Sequence, residues 1–440
     1  MSSGLTTDRR VASRLLSRQL KEEGRLDLWV GDASASLCIE DSRRVRALVY
    51  GINRQRSFLA AHLGPYLRRP LDDQAPIIQV ALLLGTYEIL FQDGVPDRAA
   101  VSQAVELVRE GEGAGRTGLV NAILRRVARK EIEPKLPARD SEPVAWAEYV
   151  ASHPRWLARR MAGLVGGEGA AAWADKNNER PPLWIRRAKA SAVLPQDSDP
   201  SSLVPGAFRV KPPAGQRIDE LPGFADGDWW VQDIAAQAVA SLLGGQPGQR
   251  ILDACAAPGG KSFSAAVDVG PSGQVLALDR SAKRLEHLEA SAERLGLSQI
   301  QVQQRDLLAQ PWEGDTFDAV LLDAPCSGLG VIRRHPEIRW SREAVDLKRQ
   351  AARQKTLMTS VAPAVRPGGR LVYAVCSFSA EETDAVVESF LADHPDFRRV
   401  SGAEAAPDIG SELFTGDDLR TYPHEHDADA FFAAVLEREA

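Results

Sequence analysis

Residues 251–262 read Ile-Leu-Asp-Ala-Cys-Ala-Ala-Pro-Gly-Gly-Lys-Ser. A short apolar run ends in Asp253, a Pro258-Gly259-Gly260 turn follows, and the next residues suit a helix. That is the first strand, loop and helix of a doubly wound sheet. A Gly-Gly pair alone also occurs at helix C-caps, so the weight falls on what comes after it. Residues 275–278 form a second apolar strand, ending in Asp279 about twenty residues beyond the glycines, where an acidic side chain can take a pair of ribose hydroxyls. A third strand, 319–322, ends in Asp323-Ala324-Pro325-Cys326-Ser327-Gly328, and a fourth, 370–375, ends in Cys376-Ser377. Ligands of such sheets bind at the carboxyl ends of the strands, so four distant stretches converge on one crevice and two of them bring a cysteine.

At 440 residues the chain has room for two or three domains, and 44% hydrophobic with 26% charged residues is ordinary for a globular protein. A net charge of −6 argues against coating nucleic acid by bulk charge. The charge is uneven, about +3 over residues 1–142 and about −9 over the rest, which leaves room for a local basic face. The four cysteines, Cys38, Cys255, Cys326 and Cys376, lack the paired spacing of a zinc site or disulfide framework and suit a reducing cytoplasm. No apolar leader or membrane-length run occurs, so a cytoplasmic protein without membrane or metal partners is expected.

Residues 1–132 read as all-helical, with stripes such as Ile77, Val80, Ala81, Leu84 and Val120, Ile123, Leu124, Val127. Arg43, Arg44, Arg46, Arg125, Arg126 and Arg129 lie along these helices, either as solvated surface or as RNA contacts. Residues 130–143 suit a linker, 145–225 a small α+β middle unit and 226–440 the α/β domain, so the fold class is α+β multidomain. Ser379 and Glu382 have capping-box spacing, which predicts a helix just after Cys376. Cys38 is expected to be a small buried hydrophobe.

The loop lacks the full dinucleotide fingerprint, so it favours a nucleoside cofactor without a pyrophosphate; S-adenosylmethionine fits. Asp279 would hold its ribose, and Asp306, after the strand at 300–304, is placed for the adenine amino group or for a turn. Two cysteines in a methyl-transfer fold point to a carbon that needs activation. C5 of cytosine is such a carbon, since thiolate addition at C6 makes it an enamine. A thiol titrating near 8.5 needs help to ionise, which a helix N-terminus behind Cys376 would give. Asp323 could bond the base at N3 or N4. Cys255 is expected to serve packing or backbone contact only.

Residues 82–129 resemble the NusB family of helical RNA-binding domains, through Leu84-Gly85-Thr86-Tyr87-Glu88-Ile89-Leu90, Val95-Pro96 and Val120-Asn121-Ala122-Ile123-Leu124-Arg125. Residues 145–440 resemble the family of RNA (cytosine-5) methyltransferases typified by the bacterial Sun/Fmu proteins, and with the NusB-like segment in front the whole chain resembles the RsmB/Sun (Fmu) family of 16S ribosomal RNA enzymes. The matching stretches include Val231-Gln232-Asp233, residues 253–262 and 323–328, Arg333-Arg334-His335-Pro336 with Trp340, Lys355, and Tyr373 to Ser377. The resemblance implies a Rossmann-like methyltransferase domain and ribosomal RNA as partner. It makes Cys376 the nucleophile and Cys326 the group that assists adduct breakdown. It also implies a cofactor site of Cys255, Ala256, Ala257, Pro258, Gly259, Gly260, Lys261, Asp279, Arg284, Asp306 and Asp323. Another RNA such as transfer RNA, or a non-catalytic RNA-binding scaffold, are the alternatives; the retained cysteines and loop argue against the scaffold. Val375, Ala430 and Ile185-Arg186-Arg187 stand where the family usually has Thr, Gly and Arg-Val-Asn.

Overall fold

The apolar stripes of the first third fold as α1 (Thr7–Gln19), α2 (Leu26–Ser34), α3 (Ile39–Leu63), α4 (Pro76–Phe91), α5 (Asp97–Glu112) and α6 (Thr117–Ala128). Their core holds Leu48, Ile52, Val80, Leu84, Val101, Val108, Val120, Ile123 and Leu124. Gly85 permits α4 to meet α6, because a Cβ there would lie 2.4 Å from the Leu124 side chain. The buried Glu88 carboxylate on α4 pairs with Arg9 on α1 at 2.6 Å. These coordinates are a computed structural model that describes residues 4–440 apart from 23, 25 and 214. The chain divides into two units, residues 1–179 with 332–342, and residues 180–331 with 343–440.

The first unit continues through α7 (Pro143–Ala145) and α8 (Arg155–Asn178), the latter interrupted at Gly166 by a positive φ of 74°. It also takes in α12 (Ile338–Ser341) from far along the sequence. Arg339 of α12 is fully buried, and its guanidinium donates to the carbonyls of Ser152 at 3.1 Å and Ala151 at 3.3 Å and to Asn178 Oδ1 at 3.0 Å. Trp340 Nε1 donates to the Asn53 carbonyl at 2.7 Å. Asp27, His335 and Glu337 bring ligand-type atoms within 4.8 Å of one another. The guanidiniums of Arg54 and Arg339 lie close enough to Glu337 to offset its charge.

The segment expected as a separate middle unit, 145–225, is divided. Its helices belong to the first unit and its strands to the second. The physical reason is pairing: β1 (Leu183–Arg187), β2 (Ser198–Pro200), β3 (Ala207–Val210) and β4 (Trp229–Val231) make one sheet in the order β2-β3-β1-β4. β4 then leads straight into α9 (Ile234–Ser241) of the α/β core.

The remaining elements are β5 (Arg250–Asp253), α10 (Gly260–Val269), β6 (Gln274–Asp279), α11 (Ala282–Arg294), β7 (Ile300–Gln304), β8 (Phe317–Asp323), α13 (Ala344–Val361), β9 (Val365–Val375), α14 (Asp384–Asp393), β10 (Phe397–Val400), β11 (Phe414–Thr415), β12 (Asp418–Arg420) and β13 (Phe432–Arg438). The main sheet runs β11-β12-β13-β9-β8-β5-β6-β7, with β10 on β13. β5 pairs in parallel with both β6 and β8, and β8 in parallel with β9, while β13 is antiparallel to β9. Strand residues alternate between two cores, as the pleat demands: Ile251, Leu321 and Val372 face one, Leu252, Leu322 and Tyr373 the other. Strand order reverses beside β5, so the ends of β5 and β8 form the crevice where such sheets bind ligands. Among the described residues no helix is long and apolar enough to cross a membrane.

Candidate active site

β5 delivers Asp253 to the crevice, 2% exposed. Its Oδ2 accepts from Ser262 Oγ at 2.6 Å, while its Oδ1 has no hydrogen-bond partner among the described residues. Burial, with Asp323 adding to it and Ser262 opposing, pushes its carboxyl up to about 7. The loop then turns at Gly259, whose φ is +111° and where a Cβ would lie 2.5 Å from the Phe263 ring. Only glycine takes that position without strain. α10 starts at Gly260, which brings Lys261 across to Asp323 at the end of β8, with Nζ 2.7 Å from Oδ2. Burial alone would lower the Lys261 pKa, but the Asp323 carboxylate outweighs it and raises it.

A cavity of about 390 Å³ opens beside this loop. Asp253, Cys255, Ala256, Ala257, Pro258, Gly260, Lys261 and Asp323 line it, together with Trp230, Val231 and Gln232 from β4 and the turn after it. Gln232 Nε2 is buried without an acceptor among the described residues, a second unpartnered polar atom on the cavity wall. Asp279 is not among the lining residues. It is 5% exposed and accepts from Ser281 N at 2.9 Å and Ala257 N at 3.3 Å, bracing the loop. Arg284 sits against it, Nη1 3.2 Å from Asp279 Oδ2, and also donates to the Ala257 carbonyl. Asp306 is exposed beyond β7, and its Oδ1 caps its own turn through Leu308 N at 3.0 Å. The site residues therefore fall into a cavity wall, a brace behind it and an outlying turn.

This lining fits S-adenosylmethionine: the unpartnered Asp253 Oδ1 and Gln232 Nε2 offer an acceptor and a donor to a polar ligand in the cavity.

Cys326 and Cys376 stand after the ends of neighbouring strands, and their Sγ atoms are 3.2 Å apart. Hydrogen bonding to Cys376, then burial, then the Cys376, Glu382 and Asp323 charges hold the Cys326 pKa well above the usual thiol range. Cys255 is half-buried and packs against the core, and burial pushes its thiol up. Cys38 departs from expectation: it is exposed, and its Sγ caps α3 by accepting from Asp41 N at 3.4 Å. It is the N-cap residue of α3, outside the buried core of the helices.

The helix expected just after Cys376 begins later, with α14 at Asp384. Residues 380–383 form a turn instead, and Glu382 does not cap a helix. Its carboxylate points inward to Ser327 and Ser377, the residues that follow the two cysteines. Sequence reasoning missed this role, together with those of Gln232 and Trp230; the Ser379–Glu382 spacing was the visible signal for Glu382.

Of the basic residues on the helical unit, Arg44 pairs with Glu40, and both Arg126 and Arg129 pair with Glu131. Arg43, Arg46 and Arg125 are exposed.

Residues 240–437 match the model of the family described as 16S rRNA methyltransferase RsmB/F, and residues 6–129 match the NusB family. A Synechocystis protein named "Probable ribosomal RNA small subunit methyltransferase B" is 34% identical, over 90% of this chain and 91% of its own length. The "Ribosomal RNA small subunit methyltransferase B" of Erwinia tasmaniensis is 30% identical over 99% of both chains. Among solved structures, "PH0851" has a TM-score of 0.78 at 24% identity, covering 98% of this chain and 99% of that one. NSun6 from Pyrococcus horikoshii with SFG has a TM-score of 0.57 at 20% identity, covering 66% of this chain and all of that one. With an α/β core that carries a cofactor loop and paired cysteines, and relatives that match it from end to end, the chain belongs to the RsmB/F family of 16S rRNA methyltransferases.

Proposed function

We propose that this protein methylates C5 of a cytosine in 16S ribosomal RNA through a covalent adduct between Cys376 and C6 of the base. The observation that carries this reading is the pair of thiols 3.2 Å apart beside the Asp323–Lys261 pair. Bound S-adenosylmethionine supplies an electrophilic methyl group.

Cys376 loses its proton to solvent and adds as thiolate to C6. The displaced π pair makes C5 the nucleophile that takes the methyl group. Asp323, steadied by Lys261, accepts from the N4 amino group or a protonated N3 and so offsets charge that develops on the ring. Once the Cys376 sulfur is a neutral thioether, its thiolate charge, one of the causes that hold Cys326 protonated beside burial, is gone. Cys326 then gives its own proton to solvent and, as thiolate, takes the C5 proton. The C5–H pair re-forms the C5=C6 bond, the C6–S bond breaks, and Cys376 leaves as thiolate. The proton on Cys326 returns to solvent. A base must leave its stack to enter such a crevice, so an unpaired cytosine is the favoured target. The 16S assignment is supported by the relatives' names and by the NusB-family match; bisulfite mapping of ribosomal RNA with and without the gene tests it.

Separating the thiols tests the chemistry. Cys326→Ala should attack, methylate once and stay attached to RNA on a denaturing gel, whereas Cys376→Ala should form no attached species and no product. The reverse pattern would overturn the assignment of the two cysteines.

A further inference from the structure

Glu382 is fully buried, and none of the ion pairs among the described residues involves it. A carboxylate so placed is tolerable only if donors surround it. Oε1 accepts from Ser327 N at 2.7 Å and Gln354 Nε2 at 3.0 Å. Oε2 accepts from Ser377 Oγ at 2.6 Å, from Ser379 Oγ at 3.2 Å and from Ser327 Oγ. Three of these donors belong to the neighbours of the cysteines in sequence: Ser327 follows Cys326 and Ser377 follows Cys376. Gln354 extends the hold, since its Nε2 also donates to the Pro325 carbonyl at 3.1 Å. Tyr373 closes it by donating to Gln354 Oε1 at 3.2 Å and the Glu382 carbonyl at 2.7 Å. One carboxylate thus bonds both cysteine turns, and nothing in the methyl-transfer chemistry itself uses it.

We propose that Glu382 is a positioning residue: it clamps the turns after β8 and β9 so that the Cys326 and Cys376 sulfurs meet as a pair. The inference rests on the assignment of attack to Cys376 and release to Cys326. Attack needs only Cys376, but release needs the second sulfur within reach of C5 while the first is bonded to C6. Loosening the clamp therefore slows release more than attack. Glu382 touches neither the base nor the reacting atoms; it acts through Ser327 and Ser377.

The experiment uses the full-length protein, unmodified 16S rRNA transcribed in vitro and radiolabelled S-adenosylmethionine. Glu382→Gln keeps the size of the side chain but replaces one acceptor with a donor facing donors. It should lower kcat by about 10²-fold, the penalty of a misplacement near 1 Å, with cofactor affinity unchanged. It should also accumulate an RNA–protein species on denaturing gels that the wild type does not. General loosening of the fold would lower activity and cofactor binding together without that accumulation. Wild-type turnover with no trapped species would overturn the proposal. Should Glu382→Gln not fold, Ser327→Ala and Ser377→Ala decide: trapped adduct in the first and slowed single-turnover attack in the second support the clamp, and wild-type behaviour in both overturns it. Cys326→Ala is the control for the underlying reading. If it traps no adduct, the two-thiol assignment fails; if it traps adduct while Glu382→Gln behaves as wild type, the clamp alone fails.

Discussion

Asp253 shows how a single buried group can carry a cost to the fold. Its carboxyl is raised from 3.8 to about 7, mainly by burial. An acid whose folded pKa lies above its unfolded value destabilises the fold once both states are ionised. Well below pH 4 both states are protonated and the penalty vanishes; it grows between about pH 4 and 7 and is complete above 7. Asp253→Asn should therefore stabilise the cofactor-free protein by a few kcal/mol at pH 8 and by almost nothing at pH 3.5. Chemical denaturation at the two pH values checks this, and an equal gain at both would count against the burial account. The sequence named Asp253 as the end of a strand, since an apolar run stopped there. That one of its oxygens would be left without a partner depends on what packs round it, which no local pattern encodes.

For elements, the legible part is the path β5, loop, α10, with its glycines. Gly259 and Gly260 look alike in sequence but do different work. Gly259 is left-handed and pressed against Phe263 and Leu288, whereas Gly260 is the first residue of α10, with the flexible end of Gln232 as its nearest neighbour at 3.2 Å. Gly259→Ala should cost about 1–3 kcal/mol through strain. Gly260→Ala should change stability by less than about 1 kcal/mol, because alanine suits a helix. Thermal unfolding of the two variants side by side measures the contrast. The stretch after Cys376 was the harder reading. Ser and Glu three apart can cap a helix or close a turn, and the spacing is the same in both. What decides is that Ser327 and Gln354, more than twenty residues away in sequence, draw the Glu382 carboxylate inward.

At the level of the whole molecule, the sequence divided the chain into three consecutive pieces and the structure makes two units that share it differently. Residues 332–342 read as part of the methyltransferase motif, yet they are bedded among helices of the first unit. Their anchor is Arg339, with its pKa lowered to about 9 by burial and its donors committed to carbonyls at 151 and 152. Arg339→Met would leave the Ser152 carbonyl without its donor, at roughly 1–3 kcal/mol for a buried group, while the Ala151 carbonyl keeps the Asn178 amide at 2.7 Å. Hydrogen exchange should quicken around residues 147–157 and 50–57, and unchanged protection there would show that the anchor is not needed. The arrangement also bears on how such a chain can be inherited. Since the polypeptide leaves the second unit after Val331 and re-enters it at Glu343, a crossover between residues 179 and 180 cannot exchange the front of the gene as a free cassette. Any replacement front would have to supply a bed for eleven residues it does not encode, so the two halves of the gene are bound to change together.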